Sequence, residues 1–427
     1  MKIVVVAPRL PYPLDKGDRL TVFHLLKFFS QRHELSLICF REPKQDPAWV
    51  GQFAPYCARI EVIPLRRSQA YVNCLTGLWG RTPLQLRYYF DSRMHRVVRK
   101  VVEETRPDLL YAHLIRMGQY IEPYPSLARV VAMNVSMTLN HQRLAEHTSG
   151  LSKAMHFVEY RKMRVYEGDF AARFDRVLLI SKYDLDAIEQ RVPLKNVLLN
   201  PHGVDCQHFT PDSSVPKITN SLIFTGNMRY APNVDAARYF FREVLPLVRR
   251  QVPDATLFIV GADPAPAVQA LASDPAVHVT GRVSDIRPFM NRAVVAIAPI
   301  RIGAGLQNKV LEGLSMGLPM VVTGVANEGI QAVDGEHLLV GETATDLADR
   351  IIRLLKEREL RERLSVAARQ FIAENWSWEK HFAHLETMFL ELVKGKRKQM
   401  DPACLQPVTK PDQSESREPP ADAFCSE

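Results

Sequence analysis

Short apolar runs that alternate with helical patterns along the whole chain constrain its fold more than any other feature. In the first half such runs lie at 2–7, 34–40, 60–65, 107–114, 129–135, 176–181 and 197–201. Between them the apolar residues follow a helical period, as at Val22, Leu25, Leu26 and Phe29. Strand, helix and strand repeated in this order predict a parallel sheet with right-handed crossovers.

The second half repeats this plan, with apolar runs at 221–226, 255–261, 277–281, 294–300, 319–323 and 337–340. Residues 211–220 are rich in Pro, Ser and Asp and read as a linker. We therefore predict an α/β fold of two Rossmann-like, doubly wound parallel-sheet domains that face each other across a cleft. The predicted parts are a first domain at 1–210, a second at 217–375, a C-terminal helix at 376–393 that crosses back to the first, and a disordered tail at 394–427.

Cysteine usage and hydropathy bear on the compartment. The six cysteines show no C-x-x-C and no disulfide framework, which favours a reducing cytoplasm. The start, MKIVVVAPRLPYP, lacks the features of a signal peptide, and no run approaches the roughly 18 apolar residues of a membrane span. We expect a cytoplasmic protein, with association at the inner face of the plasma membrane as a further expectation.

Positive charge is concentrated in the first half of the chain. Residues 1–200 contain 30 Lys and Arg against 19 Asp and Glu, and the remainder contains 25 against 28. A basic half can meet nucleic acid, an anionic membrane or an anionic substrate. An ordinary basic surface is the alternative.

Glycines follow several of the predicted strands, where ligands gather in folds of this kind. Gly17 precedes a helix, and its lack of a side chain lets the backbone approach a phosphate. Gly226, Asn227 and Arg229 end another strand, and an arginine there can pair with a phosphate. Val283 follows a third strand. A plain strand-to-helix turn and a surface arginine are the alternatives.

The stretch RIGAGLQNKVLEGLSMGLP at 301–319 is the most specific of these turns. Gly303 and Gly305 allow a close backbone approach, and a helical pattern begins directly after them. Lys309 lies in the first turn, where a cation opposes the helix dipole, so a bound anion explains it better. Glu312 can accept hydrogen bonds from a pair of sugar hydroxyls. Alternatively, Glu312 forms an i,i+3 ion pair with Lys309.

These pieces together resemble a retaining glycosyltransferase of family 4 with the GT-B fold. The pieces are KIVVVAPRLPYPLDKGDRL, RVLLISKYD, NPHGVDCQHF, FTGNMRYAPNVDAARYF, IVGADP, VTGRVSD, APIRIGAGLQNKVLEGLSMGLPMVVT with NEGI, and WSWEKH. Their order and spacing are specific, although each alone is weak. The PNVDA and NK-x-LE patterns are similar to the sugar transferase subgroup of bacterial exopolysaccharide (PEP-CTERM-associated) clusters.

The resemblance implies a nucleotide-sugar between the two domains, held mostly by the second. Glu312 matches the second glutamate of the family's E-x7-E motif, which contacts the ribose, whereas Ala304 stands at the first, which usually touches the donor sugar. Pro232-Asn233 replaces the family's usual Lys-Gly. The implied donor-binding residues are Gly17, Gly226, Asn227, Arg229, Val283, Arg301, Gly303, Ala304, Gly305, Leu306, Lys309 and Glu312.

The implied activity is metal-independent, hexosyltransferase-type transfer to a saccharide or lipid-linked acceptor in surface or exopolysaccharide synthesis. Lys309 and Arg229 are the predicted catalytic cations, and His113 is the candidate base, with a packing histidine as the alternative. No cofactor, metal or nucleic-acid partner is expected, and Asp184-Leu185-Asp186 is interpreted as a helix cap. A lipid-linked diphosphate acceptor would suit one predicted helix face that carries Arg93, Arg96, Arg99 and Lys100, and an ordinary solvated face is the alternative. A nucleotide-sugar epimerase and a non-catalytic nucleotide-sugar-binding subunit remain alternatives.

Overall fold

The first sheet of the computed structural model is parallel throughout, and the model describes residues 1–14, 17–43, 45–147, 150–302 and 306–400. Over these residues the sheet has seven strands in the order β3-β2-β1-β4-β5-β6-β7. The strands are β1 (Lys2–Ala7), β2 (Glu34–Arg41), β3 (Arg59–Pro64), β4 (Leu109–His113), β5 (Ala128–Asn134), β6 (Arg176–Leu179) and β7 (Val197–Leu199).

The second sheet is also parallel, with six strands over the described part of the chain in the order β10-β9-β8-β11-β12-β13. They are β8 (Ser221–Thr225), β9 (Thr256–Val260), β10 (Val277–Val279), β11 (Val295–Ala298), β12 (Met320–Val322) and β13 (Leu339–Val340). Each apolar run predicted as a strand overlaps one of these thirteen strands, counted over the described residues. The prediction of two doubly wound α/β domains is confirmed.

Helices connect the strands. They are α1 (Gly17–Phe29), α2 (Arg67–Thr76), α3 (Leu84–Tyr88), α4 (Ser92–Thr105), α5 (Ile115–Gly118), α6 (Met137–His147), α7 (Gly150–Ala171), α8 (Lys182–Glu189), α9 (Ala231–Tyr239), α10 (Leu245–Gln251), α11 (Pro266–Gln269), α12 (Arg287–Arg292), α13 (Asn308–Ser315), α14 (Gly324–Asn327), α15 (Ala344–Lys356), α16 (Arg358–Asn375) and α17 (Trp378–Met400). None that the described ranges contain is long and apolar enough to cross a membrane.

Alternating side chains of the first sheet supply two separate cores, as the period of a strand requires. Val4 and Val6 of β1 belong to the core beneath α4 and α7, whereas Val5 belongs to the opposite core. That opposite core is closed by α1 and α17, where the ring of Phe29 lies 5.3 Å from that of Phe389. Helix α17 therefore completes the core of the first domain.

Helix α17 continues to Met400, so the prediction that a tail begins at 394 is wrong for 394–400. The physical reason is charge pairing with the first domain. Lys396 Nζ lies 2.8 Å from Asp175 Oδ1, and Arg397 Nη2 lies 2.5 Å from Asp108 Oδ1. The basic composition of residues 394–400 is typical of a solvated tail. Here two carboxylates hold this segment against the first domain. Residues 401–427 of the predicted tail lie outside the described residues.

Candidate functional site

A cavity of about 420 Å³ lies between the two domains. The first domain contributes the face of α1, and the second contributes residues 283–286 and the start of α13. The lining residues are Leu14, Leu20, Phe23, His24, Lys27, Gly203, Val204, Asp205, His208, Phe209, Val283, Ser284, Asp285, Ile286, Asn308, Leu311, Glu312 and Trp378. Of the predicted site residues, Glu312 and Val283 line this cavity.

Glu312 reaches the cavity because α13 is amphipathic. Val310 and Leu314 are buried in the core of the second domain, and Glu312 projects from the neighbouring face. Burial raises the pKa of the Glu312 carboxyl to about 7, and the nearby charge of Lys309 opposes that rise. The result is a carboxylate that titrates near neutral pH at the wall of an interdomain cavity.

Lys309 lies three residues before Glu312, in the first turn of α13. Its Nζ donates to Asn233 Oδ1 and to Gln307 Oε1, both at 2.9 Å. Burial lowers the pKa of the Lys309 ammonium to about 8, and Glu312 opposes that shift. Because both of these acceptors are neutral amides, the ammonium charge remains available to an anionic ligand.

Gly226 makes room for this lysine at the end of β8. Its φ is +146°, and a Cβ there would lie 2.8 Å from Asn233 Nδ2 and 3.3 Å from Lys309 Cε. Asn233 Nδ2 also donates to the carbonyl of Asn227 at 2.9 Å, so one amide ties the lysine to the loop after β8. We did not assign Asn233 a role from the sequence. The PNVDA pattern that contains it was the available signal.

The two predicted arginines differ in their surroundings. Arg229 is exposed on the loop after β8, where its backbone N–H donates to Asn227 Oδ1 at 2.9 Å. The Arg301 guanidinium pairs with Asp235, at 2.8 Å from Nη2 to Oδ1, and lies 4.2 Å from the ring centroid of Tyr239. The Arg301 guanidinium is thus paired with a carboxylate, whereas the two hydrogen-bond acceptors of Lys309 are neutral amides.

The remaining second-domain predictions can be placed only in part. Leu306 is half-buried and packs against the core of the second domain, which anchors the chain just before α13. Gly303, Ala304 and Gly305 lie outside the described residues.

Gly17 starts α1 and packs close to His202. A Cβ at Gly17 would lie 3.3 Å from His202 Cε1, and His202 Nδ1 lies 3.1 Å from Thr21 Oγ1. Burial lowers the pKa of His202 to about 4, so its imidazole is neutral at neutral pH. The turn is therefore tightly packed against the segment that links the domains.

The cavity contains a second polar group, formed by His24, Lys27 and Asp205, for which the sequence predicts no role. His24 Nδ1 lies 3.8 Å from Asp205 Oδ2, Lys27 Nζ lies 3.7 Å from the same oxygen, and the His24 ring stacks on Trp378 at 5.5 Å. The segments NPHGVDCQHF and WSWEKH, which contain Asp205 and Trp378, were the only sequence signals. The group joins α1, the interdomain segment and α17.

His113 lies at the end of β4 and is fully buried. Its Nδ1 lies 3.4 Å from the Tyr111 hydroxyl and its Nε2 lies 3.5 Å from Asn134 Nδ2. Burial lowers the pKa of His113 to about 3. This position favours the packing histidine over the catalytic base, although the assignment as a base stays a prediction.

Asp184 and Asp186 belong to the first turns of α8. Ser181 is the N-cap of this helix, and Asp184 Oδ1 accepts a hydrogen bond from the Ser136 backbone N–H at 2.8 Å. Asp184 therefore fastens the helix start to the loop after β5, and the cap itself is Ser181 rather than Asp184 or Asp186.

Comparison with known proteins bears on the family and the fold. Residues 219–357 match a family model described as "Glycosyl transferases group 1". An uncharacterized 44.6 kDa protein in the cps region of Klebsiella pneumoniae is 22% identical over 394 residues, which is 90% of this chain and 98% of that protein. A GDP-mannose-dependent alpha-(1-6)-phosphatidylinositol monomannoside mannosyltransferase of Mycobacterium tuberculosis is 28% identical over 235 residues, or 49% of this chain and 60% of the enzyme.

Among solved structures, Anabaena Alr3699/HepE in complex with UDP superposes with a TM-score of 0.63 at 13% identity. The match covers 92% of this chain and all of that one. At this identity the likeness concerns the fold alone. The exopolysaccharide subgroup stays a prediction. The chain has the GT-B fold, and its second domain carries the sequence pattern of the group 1 glycosyl transferases over residues 219–357.

Proposed function

We propose that this chain is a glycosyltransferase that moves a sugar from a nucleoside-diphosphate sugar to a saccharide or lipid-linked saccharide. The observation that carries the proposal is the carboxylate of Glu312 at the wall of the interdomain cavity, with Lys309 one turn earlier on α13. A carboxylate suits a vicinal pair of ribose hydroxyls, and an ammonium suits a diphosphate.

Charge determines how this pair would act. When the glycosidic bond breaks, negative charge grows on the departing nucleoside diphosphate. A cation already fixed in place stabilises that charge without reorganisation. Lys309 is fixed by hydrogen bonds to Asn233 and Gln307. Gly226 keeps the space beside the ammonium free of a side chain.

Several finer parts of the proposal have separate support. The mycobacterial relative uses GDP-mannose and the Anabaena structure contains UDP, so both kinds of nucleotide belong in a donor panel. The cps-region relative supports a role in surface polysaccharide synthesis. Retention of configuration, independence of metal, and a cytoplasmic location at the inner face of the membrane are proposed from the family resemblance.

Release of nucleoside diphosphate from a panel of donors, with and without membrane extract, tests the proposal. We expect release that depends on an acceptor. Glu312→Gln keeps the shape of the side chain and removes the charge, so it should weaken donor binding roughly tenfold to a hundredfold. Its melting temperature should be unchanged or higher, because burial disfavours the ionised carboxylate. Glu359→Gln, an exposed position on α16, is the matched control.

Three other outcomes contradict the proposal. An isomerised donor without nucleotide release indicates an epimerase. Donor binding without turnover on any acceptor indicates a non-catalytic subunit, the alternative that Ala304 in the E-x7-E pattern keeps open. A large loss of stability in Glu312→Gln marks Glu312 as a structural residue.

A further inference from the structure

Large apolar side chains are exposed together on α2 and the loop after it. Tyr71 is 59% exposed, Leu75 is 62% exposed and Trp79 is 90% exposed. A single exposed apolar residue is normal in a monomer, but an aromatic and aliphatic cluster is not. Over the described residues of α2, Ala70 is the buried one, so most of this helix faces solvent.

The N-terminal half of α7 extends this apolar surface. Leu151 is 80% exposed and Met155 is 57% exposed. The two parts are fastened to each other, since Lys162 Nζ donates to the Gly77 carbonyl at 2.7 Å and the Glu159 carboxylate accepts from the backbone N–H of Leu84 at 2.7 Å. We call α2, residues 77–82 and residues 150–158 the α2–α7 surface.

The charge around this surface is mostly positive, and the neighbouring Asp91 is paired with Arg93. Residues 66–87 contain four arginines and no acidic residue. Residues 150–164 contain four basic residues and one acid, Glu159. That acid is buried, and both of its oxygens accept backbone N–H groups of Leu84 and Gln85. Exposed aromatic and aliphatic side chains with a basic rim are the pattern of a protein surface that enters an anionic bilayer.

The same charge argues against a second copy of this chain as the occupant. A symmetric dimer through the α2–α7 surface would bring two basic rims together, which is repulsive. Position also favours a bilayer. Residues 65–90 follow the carboxyl end of β3, and α6 and α7 follow the carboxyl end of β5. Ligands reach a parallel sheet at this edge.

We propose that the α2–α7 surface docks this protein on a bilayer containing anionic phospholipid. Trp79 and Leu151 enter the interface, and the arginines beside α2 meet the lipid phosphates. The proposal rests on the inner-face location proposed above and deepens it by naming the surface and the class of lipid, and docking itself requires no donor and no turnover. Because Arg96 of α4 lines the same surface depression as Arg66 and Gln69, the charge control is taken from the second domain.

Co-sedimentation of the purified full chain with vesicles tests this proposal. We expect binding to vesicles that contain phosphatidylglycerol and little binding to phosphatidylcholine alone, with a blue shift of tryptophan emission. The triple variant Leu75→Ser/Trp79→Ser/Leu151→Ser should lose roughly tenfold or more of its partitioning. Arg66→Glu/Arg67→Glu/Arg81→Glu should lose the preference for the anionic vesicles.

Two control variants test whether the loss of binding is specific to the α2–α7 surface. Val366→Ser removes an apolar side chain that is 70% exposed on α16 of the second domain, and it should bind like the parent. Arg238→Glu/Arg250→Glu reverses charge at two exposed positions on α9 and α10 of the second domain, and it should retain most binding. Unchanged melting temperatures show that the variants are folded.

The proposal is overturned if the parent does not bind anionic vesicles or if the triple variant binds as well as the parent. Binding lost only in the second-domain charge variant also overturns it. A parent that is dimeric by light scattering and becomes monomeric in the triple variant would assign the surface to a second copy instead. Because no sugar donor is present, failure here leaves the proposed transfer reaction untouched.

Discussion

Lys309 and Glu312 owe their unusual acidities to one cause. Burial disfavours charge on both, which lowers the pKa of Lys309 to about 8 and raises the pKa of Glu312 to about 7. Each is needed in its charged form for the proposed ligand. Between these two values the charged forms of both groups coexist most fully.

Affinity for an intact nucleotide-sugar should therefore peak between about pH 7 and pH 8. Below this window Glu312 takes up a proton, and above it Lys309 loses one, so binding weakens on each side by up to about tenfold per pH unit. Titration calorimetry over a pH series measures this. Glu312→Gln should flatten the acid side and Lys309→Arg the alkaline side. Slopes that persist in these variants contradict the assignment.

The sequence was informative about these residues but not about what holds them. Lys309 and Glu312 stand out because a lysine and a glutamate follow two glycines at a helix start. Asn233, which fixes the lysine, lies 76 residues away on another helix. Such a partner depends on how two strand-to-helix turns meet, and periodicity carries no information about that.

At the scale of elements, the ends of β8 and β9 meet through two glycines. Gly261 has φ +155°, and a Cβ there would lie 1.7 Å from the Gly226 carbonyl oxygen. This contact is with backbone, so no side-chain rotation relieves it. The loop that carries Asn227 and Arg229 is placed by this close approach.

Gly261→Ala should lower the free energy of unfolding by at least about 3 kcal/mol, since backbone must move. Gly281→Ala is the control. It also has positive φ, +68°, but a Cβ there meets nothing within 4 Å, so about 1–2 kcal/mol is expected from strain alone. Urea unfolding of both variants measures the difference. Equal losses would show that the 261–226 contact relaxes freely.

The strands were predictable because each is an apolar run bounded by turn residues. The extension of α17 to Met400 was not predictable in the same way. Its last turns are basic, and composition alone assigns them to a solvated tail. Ion pairs with Asp108 and Asp175, which are distant in sequence, stabilise the helix there.

At the scale of the molecule, α17 follows the second domain in sequence and packs in the core of the first domain. Phe382 is fully buried there, with its ring 6.2 Å from Phe29. Phe382→Ala should cost about 3–5 kcal/mol through the cavity it leaves. Leu390→Ala changes an apolar residue of the same helix that is 48% exposed, and should cost far less. Chemical unfolding that leaves both variants alike contradicts this packing.

Acid should destabilise the whole molecule well before its carboxylates titrate fully. Burial lowers the pKa of five histidines from 6.5, to about 3 or 4: His24, His113, His141, His202 and His381. The unfolded chain binds protons at these sites below pH 6.5 and the folded chain does not. Their stabilising contribution is therefore full above pH 6.5 and is lost as the pH falls toward 4.

Three buried carboxyls act in the opposite sense over part of this range. Burial raises the pKa of Glu159, Glu167 and Glu312, so the folded state binds protons there more readily. Five histidines against three carboxyls leave a net loss. The melting temperature at pH 5 should be clearly lower than at pH 7.5. An equal or higher value at pH 5 would show that these histidines open to solvent at little cost.

The late position of α17 in the sequence also affects how the first domain folds during translation. A ribosome has read every strand of the first sheet by residue 199, yet the helix that covers one face of that sheet ends at residue 400. At about 5–20 residues per second the interval is roughly 10 to 40 s. During this interval the nascent first domain lacks the helix that covers one of its apolar faces. That face includes Val5, Leu37 and Phe29. We expect a chaperone to bind this face of the nascent chain. It should dissociate once α17 has been synthesised and has packed on the face.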